Sequence, residues 1–119
     1  MPILGLGTDI METGRIRDVC ERQPEFARRV FTEAELAYSL PKQSKYLHLA
    51  GRFAAKEAVA KALGKSFSWQ DVEIVNNSEG KPIVNLYGAA KLAAGNAVVH
   101  LSVSHCKEYA TAVAIVEEP

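Results

Sequence analysis

The sequence predicts an α+β fold: a mostly antiparallel sheet packed with a long central helix and several shorter helices. Three observations carry that reading. Ser44 to Leu63 is dense in alanine and closed by Gly64, as a helix is when the residue after its end turns left-handed. Val98 to Ser104 alternates strictly, with Val99, Leu101 and Val103 on one face and Val98, His100, Ser102 and Ser104 on the other, the pattern of a half-buried strand. Trp69 to Val75 and Pro82 to Leu86 flank the turn-rich Asn76-Asn77-Ser78-Glu79-Gly80, which reads as a hairpin.

The remaining elements follow in chain order. Met1 to Ile10 reads as a strand ending in a carboxylate at Asp9, and Gly5 and Gly7 share one face, suited to close packing against another element. A dinucleotide-binding loop is excluded, because the G-x-G-x-x-G pattern needs glycine where Ile10 stands. Thr13 is placed to cap a helix running to Arg22, with Ile16, Val19 and Cys20 as its apolar stripe. Pro24 fits the first turn of a second short helix carrying Phe26, Ala27 and Val30. Thr32-Glu33-Ala34-Glu35 is a capping box, so a third helix starts there and stops before Pro41. Ala89 to Ala94 forms a short helix ending at Gly95, and Tyr109 to Val116 returns as the last strand.

Composition narrows the function classes. At 119 residues the chain is a single domain, residues 1–119, able to bury its own core. Its 14 basic and 14 acidic residues cancel, so any charged partner must be met by a local patch, and neither nucleic acid nor membrane is indicated. Cys20 and Cys106 show no metal–thiolate spacing and read as idle thiols of a reducing cytoplasm. No apolar run is long enough to span a bilayer, and the N-terminus lacks a signal-peptide layout.

Chemistry concentrates in Arg52-Phe53-Ala54-Ala55-Lys56-Glu57-Ala58-Val59-Ala60-Lys61-Ala62-Leu63-Gly64. Glu57 and Lys61, four apart, share a helical face, with Ala50, Phe53 and Ala54 near it. Small residues at 50, 51, 54, 55 and 58 admit a close approach by a helix, a strand or a ligand. Asp9 either caps the turn after its strand or serves as a hard-metal ligand. Arg15, Arg17 and Arg22, followed by Arg28 and Arg29, form either a solvated face or a docking site for an acidic partner. His105 at a strand end is either a backbone-bonded core histidine or a phosphate or catalytic group, whereas His100 reads as structural and nothing distinguishes His48.

Four pieces stand in a fixed order: Gly5-Leu6-Gly7-Thr8-Asp9, the stretch Arg52 to Gly64, Gly80-Lys81-Pro82, and Leu101-Ser102-Val103-Ser104-His105. Together, over nearly the whole chain, they resemble the bacterial holo-acyl-carrier-protein synthases, small 4′-phosphopantetheinyl transferases of fatty acid biosynthesis. The resemblance implies transfer of the phosphopantetheine arm of coenzyme A to a serine of apo-acyl carrier protein. Adenosine 3′,5′-bisphosphate would be released, with Mg²⁺ required and a homotrimer carrying sites at its subunit interfaces. It implies Asp9 and Glu57 as metal ligands, with Lys61 on a pyrophosphate oxygen. Arg52 and His105 would bind phosphates of the adenosine end, His105 from a neighbouring subunit, with Ser104 beside it and Lys81 and Pro82 near the adenine. Arg15, Arg22, Gln23 and Phe26 match the family's carrier-docking positions.

Such chemistry suits these residue types. A serine hydroxyl attacking a pyrophosphate β-phosphorus builds charge on bridging and non-bridging oxygens, which carboxylate-held Mg²⁺ and a mobile ammonium can offset. The base is Glu57, a metal-bound water, or neither in a loose transition state; Glu57, acting directly or through water, is the reading adopted. Two features depart from the family pattern. Lys65-Ser66-Phe67-Ser68-Trp69 runs straight into the hairpin where most bacterial relatives have a longer segment, and Glu25 puts an acid into the docking face. A non-catalytic carrier-binding module is the rival reading, opposed by the intact Asp9, Glu57 and Lys61. A magnesium-dependent nucleotide hydrolase is opposed by the lack of a Walker-type loop.

Overall fold

In the computed structural model, which describes residues 2–119, one long helix lies across a three-stranded sheet and organises everything else. The order is β1 (Ile3–Glu12), α1 (Thr13–Arg22), α2 (Phe26–Val30), α3 (Glu33–Ser39), α4 (Lys45–Leu63), a 3-10 turn (Trp69–Asp71), β2 (Val72–Asn76), β3 (Pro82–Leu86), α5 (Gly88–Ala94), β4 (Val98–His105) and β5 (Tyr109–Glu117). Strands β1-β5-β4 form one antiparallel sheet, and β2-β3 form a separate hairpin. This is the α+β arrangement expected; Met1, where the first strand was expected to begin, lies outside the described residues.

Alanine is what lets α4 sit so deep. Ala50, Ala54, Ala55 and Ala58 are fully buried along it, with Leu49 and Val59 between them. Two apolar clusters flank the helix. One joins Val59 and Ala62 to Ile74, Ala112, Ala114 and Val116, and the other joins Leu49 to Ile16, Val30 and Phe31. Each fully buried branched side chain contributes ~2 kcal/mol of transfer free energy. Gly64 ends α4 at φ +80°, the left-handed geometry expected of it.

Strand β1 meets α4 without side chains between them. A Cβ on Gly5 would stand 1.8 Å from the Ala62 carbonyl oxygen, and one on Gly7 would stand 1.9 Å from that of Ala58. Two residues along the strand match roughly one helical turn, so Asp9, the next residue on that face, falls beside Ala54 to Ala58. The opposite sheet face is open: Leu6 is 65% and Ile10 61% exposed, with Leu4 and Val113 beside them.

Several boundaries differ from expectation. β1 does not stop near Asp9 but runs on to Glu12, because its pairing with β5 continues to Glu12↔Tyr109. Thr13 is therefore the first helical residue of α1 rather than its cap, and its backbone N–H goes to the Glu108 carbonyl. α2 starts two residues after Pro24, at Phe26. The expected strand from Trp69 begins only at Val72, because Lys56 captures the Trp69 and Val72 carbonyls and the chain between them coils. The capping box at Thr32 and Glu35 forms in full.

Candidate active site

Asp9 is brought to α4 by the two glycines before it. There Lys61 Nζ lies 3.4 Å from Asp9 Oδ1 and donates to the Thr8 carbonyl at 3.0 Å. Glu57, one turn before Lys61, shares the corner. Partial burial pushes its carboxyl above the usual range, the Asp9 charge pushes it further, and Lys61 pulls it back. The donor set fits a hard divalent cation: two carboxylates that repel each other, with room for ligands from water or phosphate. Glu57 and Lys61 also line a cavity of about 510 Å³. The short segment after Gly64 supplies much of its wall, through Lys65, Ser66, Phe67, Ser68 and Trp69.

A second cavity, about 220 Å³, opens around Arg52, with Pro82 and His105 in its lining. Arg52 and Glu57 are five residues apart, or about 140° around the helix axis, so the two cavities open on different sides of α4. Arg52 is buried; its guanidinium lies 4.2 Å from the Tyr38 ring centre and donates to Asn76 Oδ1. Burial works against its charge, and Tyr38 and Glu35 work for it. Arg52 Nε is buried with no hydrogen-bond acceptor among the described residues.

His105 lines this cavity together with Arg52 of its own chain. Ser104 and Lys81 are exposed outside the lining, although Gly80 and Pro82 on either side of Lys81 belong to it. Three contributors escaped the sequence reading. Tyr38 bridges Arg52 and Lys42, whose ammonium is 4.4 Å from its ring centre. Asn76 accepts from Arg52. His48 lies 5.6 Å from Tyr38 and 6.2 Å from His105, ring centre to ring centre. Its pKa is lowered by burial first, then by Arg52, Lys42 and His105. The spacing of His48 four residues before Arg52 is a signal that could have found it.

On α1, Arg15 and Arg22 flank a hollow of about 310 Å³ floored by Met11, Ile16, Val19, Phe26 and Phe53. Gln23 ends the helix, its N–H on the Val19 carbonyl. Glu25 is held in an exposed pair with Arg28 at 2.8 Å. Phe53 stacks at 5.0 Å on Trp69, so the floor of this hollow touches the wall of the larger cavity.

A three-stranded sheet laid on one helix, with a carboxylate pair at one corner and a buried arginine on another side, describes a small α+β protein with charged groups set around its central helix. The 4′-phosphopantetheinyl transferase superfamily model matches residues 5–114, and the chain belongs to that family. It is 48% identical to the holo-[acyl-carrier-protein] synthase of Caldanaerobacter subterraneus subsp. tengcongensis, over 92% of this chain and 91% of the relative. It is 46% identical to that of Clostridium novyi, over 97% and 88%. Among solved structures, the holo-(acyl-carrier-protein) synthase of Bacillus anthracis str. Ames in complex with CoA (3′,5′-ADP) superposes at TM-score 0.84, with 36% identity and 98% of both chains covered.

Proposed function

We propose that this enzyme transfers the 4′-phosphopantetheine arm of coenzyme A to a serine of apo-acyl carrier protein, releasing adenosine 3′,5′-bisphosphate. The observation that carries the reading is the meeting of Asp9, Glu57 and Lys61 beside one cavity, in a chain whose relatives bear the synthase name and, in several solved cases, hold CoA. Asp9 and Glu57 would hold Mg²⁺, which when bound neutralises charge on the pyrophosphate oxygens. Lys61 offers an ammonium to a non-bridging oxygen. Glu57, directly or through one water, takes the serine proton. The serine oxygen bonds to the β-phosphorus, the bond from that phosphorus to the bridging oxygen breaks, and the bisphosphate departs with the electron pair.

Arg52 and His105 would bind the adenosine-end phosphates, with Ser104, Lys81 and Pro82 around them; the shared cavity of Arg52, Pro82 and His105 supports that reading. Arg15, Arg22, Gln23 and Phe26 would receive the acidic carrier, guanidinium groups on the rim and aromatic surface below. The open apolar face around Leu6 and Ile10 supports association between copies, and a homotrimer is the assembly proposed. Each site would then combine Asp9, Glu57 and Lys61 of one copy with Arg52 and His105 of the next. A cytoplasmic role in fatty acid biosynthesis suits the unpaired Cys20 and Cys106, and no helix among the described residues is long and apolar enough to cross a membrane.

The test is direct. Purified protein is incubated with apo-carrier, coenzyme A and Mg²⁺, and the intact carrier is weighed. A mass gain of one phosphopantetheine arm, absent without the cation, is expected. An unchanged carrier under conditions where a known transferase modifies it would sink the reading.

A further inference from the structure

Lys56 and Glu35 form a buried pair of opposite charges that the chemistry above leaves unused. Lys56 is 2% exposed and Glu35 is fully buried, with Nζ 2.8 Å from Oε1. An ammonium carries three N–H donors, and Lys56 has an acceptor for each: Glu35 Oε1, the Trp69 carbonyl at 2.9 Å and the Val72 carbonyl. Glu35 in turn accepts from the backbone N–H groups of Thr32 and Ile74, both at 2.8 Å. The pair therefore joins α3 and α4 to both ends of the 3-10 turn and to the hairpin beyond it. Trp69 and Val72 belong to the wall of the cavity that holds Glu57, and Ile74 belongs to the wall of the one that holds Arg52.

Such a pair is a poor device for stability alone, since two desolvated charges gain no more than a well-packed neutral pair of the same volume. Only the ammonium can hold two carbonyls and a carboxylate at fixed points at once. It does so one residue before Glu57 and four after Arg52.

We propose that Lys56 is a positioning residue of the transfer reaction: with Glu35 it fixes the Trp69–Val72 wall and so sets where coenzyme A lies against Glu57 and Lys61. The inference rests on the function proposed above. Its test compares Lys56→Met with the uncharged pair Lys56→Met/Glu35→Gln, whose amide oxygen can still accept from the Thr32 N–H while the Ile74 N–H loses its acceptor. Thermal unfolding, acrylamide quenching of Trp69 (the sole tryptophan) and transfer kinetics are measured on each. The single variant, with an unpaired buried carboxylate, loses Tm, and the double variant, which removes that charge but leaves the Ile74 N–H and two carbonyls unpaired, recovers part of it. In the double variant, quenching of Trp69 stays raised. Its kcat/KM for coenzyme A stays down about a hundredfold, the scale of a small misplacement near the chemistry. Its carrier KM does not move.

A double variant with restored stability and wild-type transfer would overturn the proposal, leaving the pair a structural tie. Should the single variant fail to fold, the double variant alone gives the same decision. If wild-type protein transfers nothing, the proposed function fails. Trp69 accessibility then still decides whether Lys56 fixes the wall, and unchanged quenching in the double variant rejects it.

Discussion

Glu57 is a carboxylate placed where its charge is unwelcome. Burial and Asp9 raise its pKa in the metal-free protein, so the folded chain holds that proton more tightly than the unfolded chain does. The sign follows: this contribution to stability is full below the ordinary carboxylate range and is lost as pH rises through the raised value. Glu57→Gln carries no such penalty. Its Tm advantage over the metal-free wild type is therefore expected to grow with pH across that window, and melts at a series of pH values check it; a flat difference contradicts the assignment. In activity the order reverses. Glu57→Gln loses about a hundredfold or more in turnover, the usual worth of a positioned acid–base group, and Asp9→Asn, which removes a proposed cation ligand, loses most of its turnover, both with the fold intact. Either variant retaining near-wild-type turnover at limiting Mg²⁺ removes the site.

The strand–helix contact decides where those groups stand. Gly7→Ala would push a methyl into the Ala58 carbonyl, and backbone cannot yield as a side chain does. The expected loss exceeds the ~1–3 kcal/mol typical of overpacking, read from denaturant melts, and transfer falls with it because Asp9 rides on the same strand. A Gly7→Ala variant of wild-type stability would contradict the close approach. Helix α1 makes a different forecast. Arg15→Glu and Arg22→Glu raise the carrier KM at low salt and leave coenzyme A affinity unchanged, and the effect shrinks as ionic strength rises. Loss of coenzyme A binding instead, or a carrier KM indifferent to salt, returns the face to ordinary surface.

At this scale the sequence was largely legible. Period-two alternation marked β4, alanine density and Gly64 marked α4, and the Thr32 capping box marked α3, all local signals. The coil at Trp69 was hidden because it depends on Lys56, thirteen residues away, taking its carbonyls. The i, i+4 pair and the glycines of β1 pointed to the Asp9–Glu57–Lys61 corner. Tyr38 could not be placed beside Arg52 from any spacing, since only the packing of α3 on α4 joins them.

For the whole molecule, the separation of the two cavities around α4 sets the experiment. Subunits carrying His105→Ala, mixed with subunits carrying Asp9→Asn, are expected to regain activity, because some junctions then pair two intact halves. No recovery in demonstrably mixed assemblies, or a monomer in sedimentation, ends the shared-site reading. In the proposed shared-site assembly each junction would be heterologous, unlike patches meeting, which gives a ring where the rotation closes rather than a two-fold dimer. A chain defective in both halves, Asp9→Asn/His105→Ala, then spoils the junctions on both its sides. Poisoning is steeper than dilution: activity follows the square of the intact fraction, so an equal mixture keeps about a quarter of the full rate. One such doubly defective copy would silence two junctions, whereas a copy with a single defect would silence one.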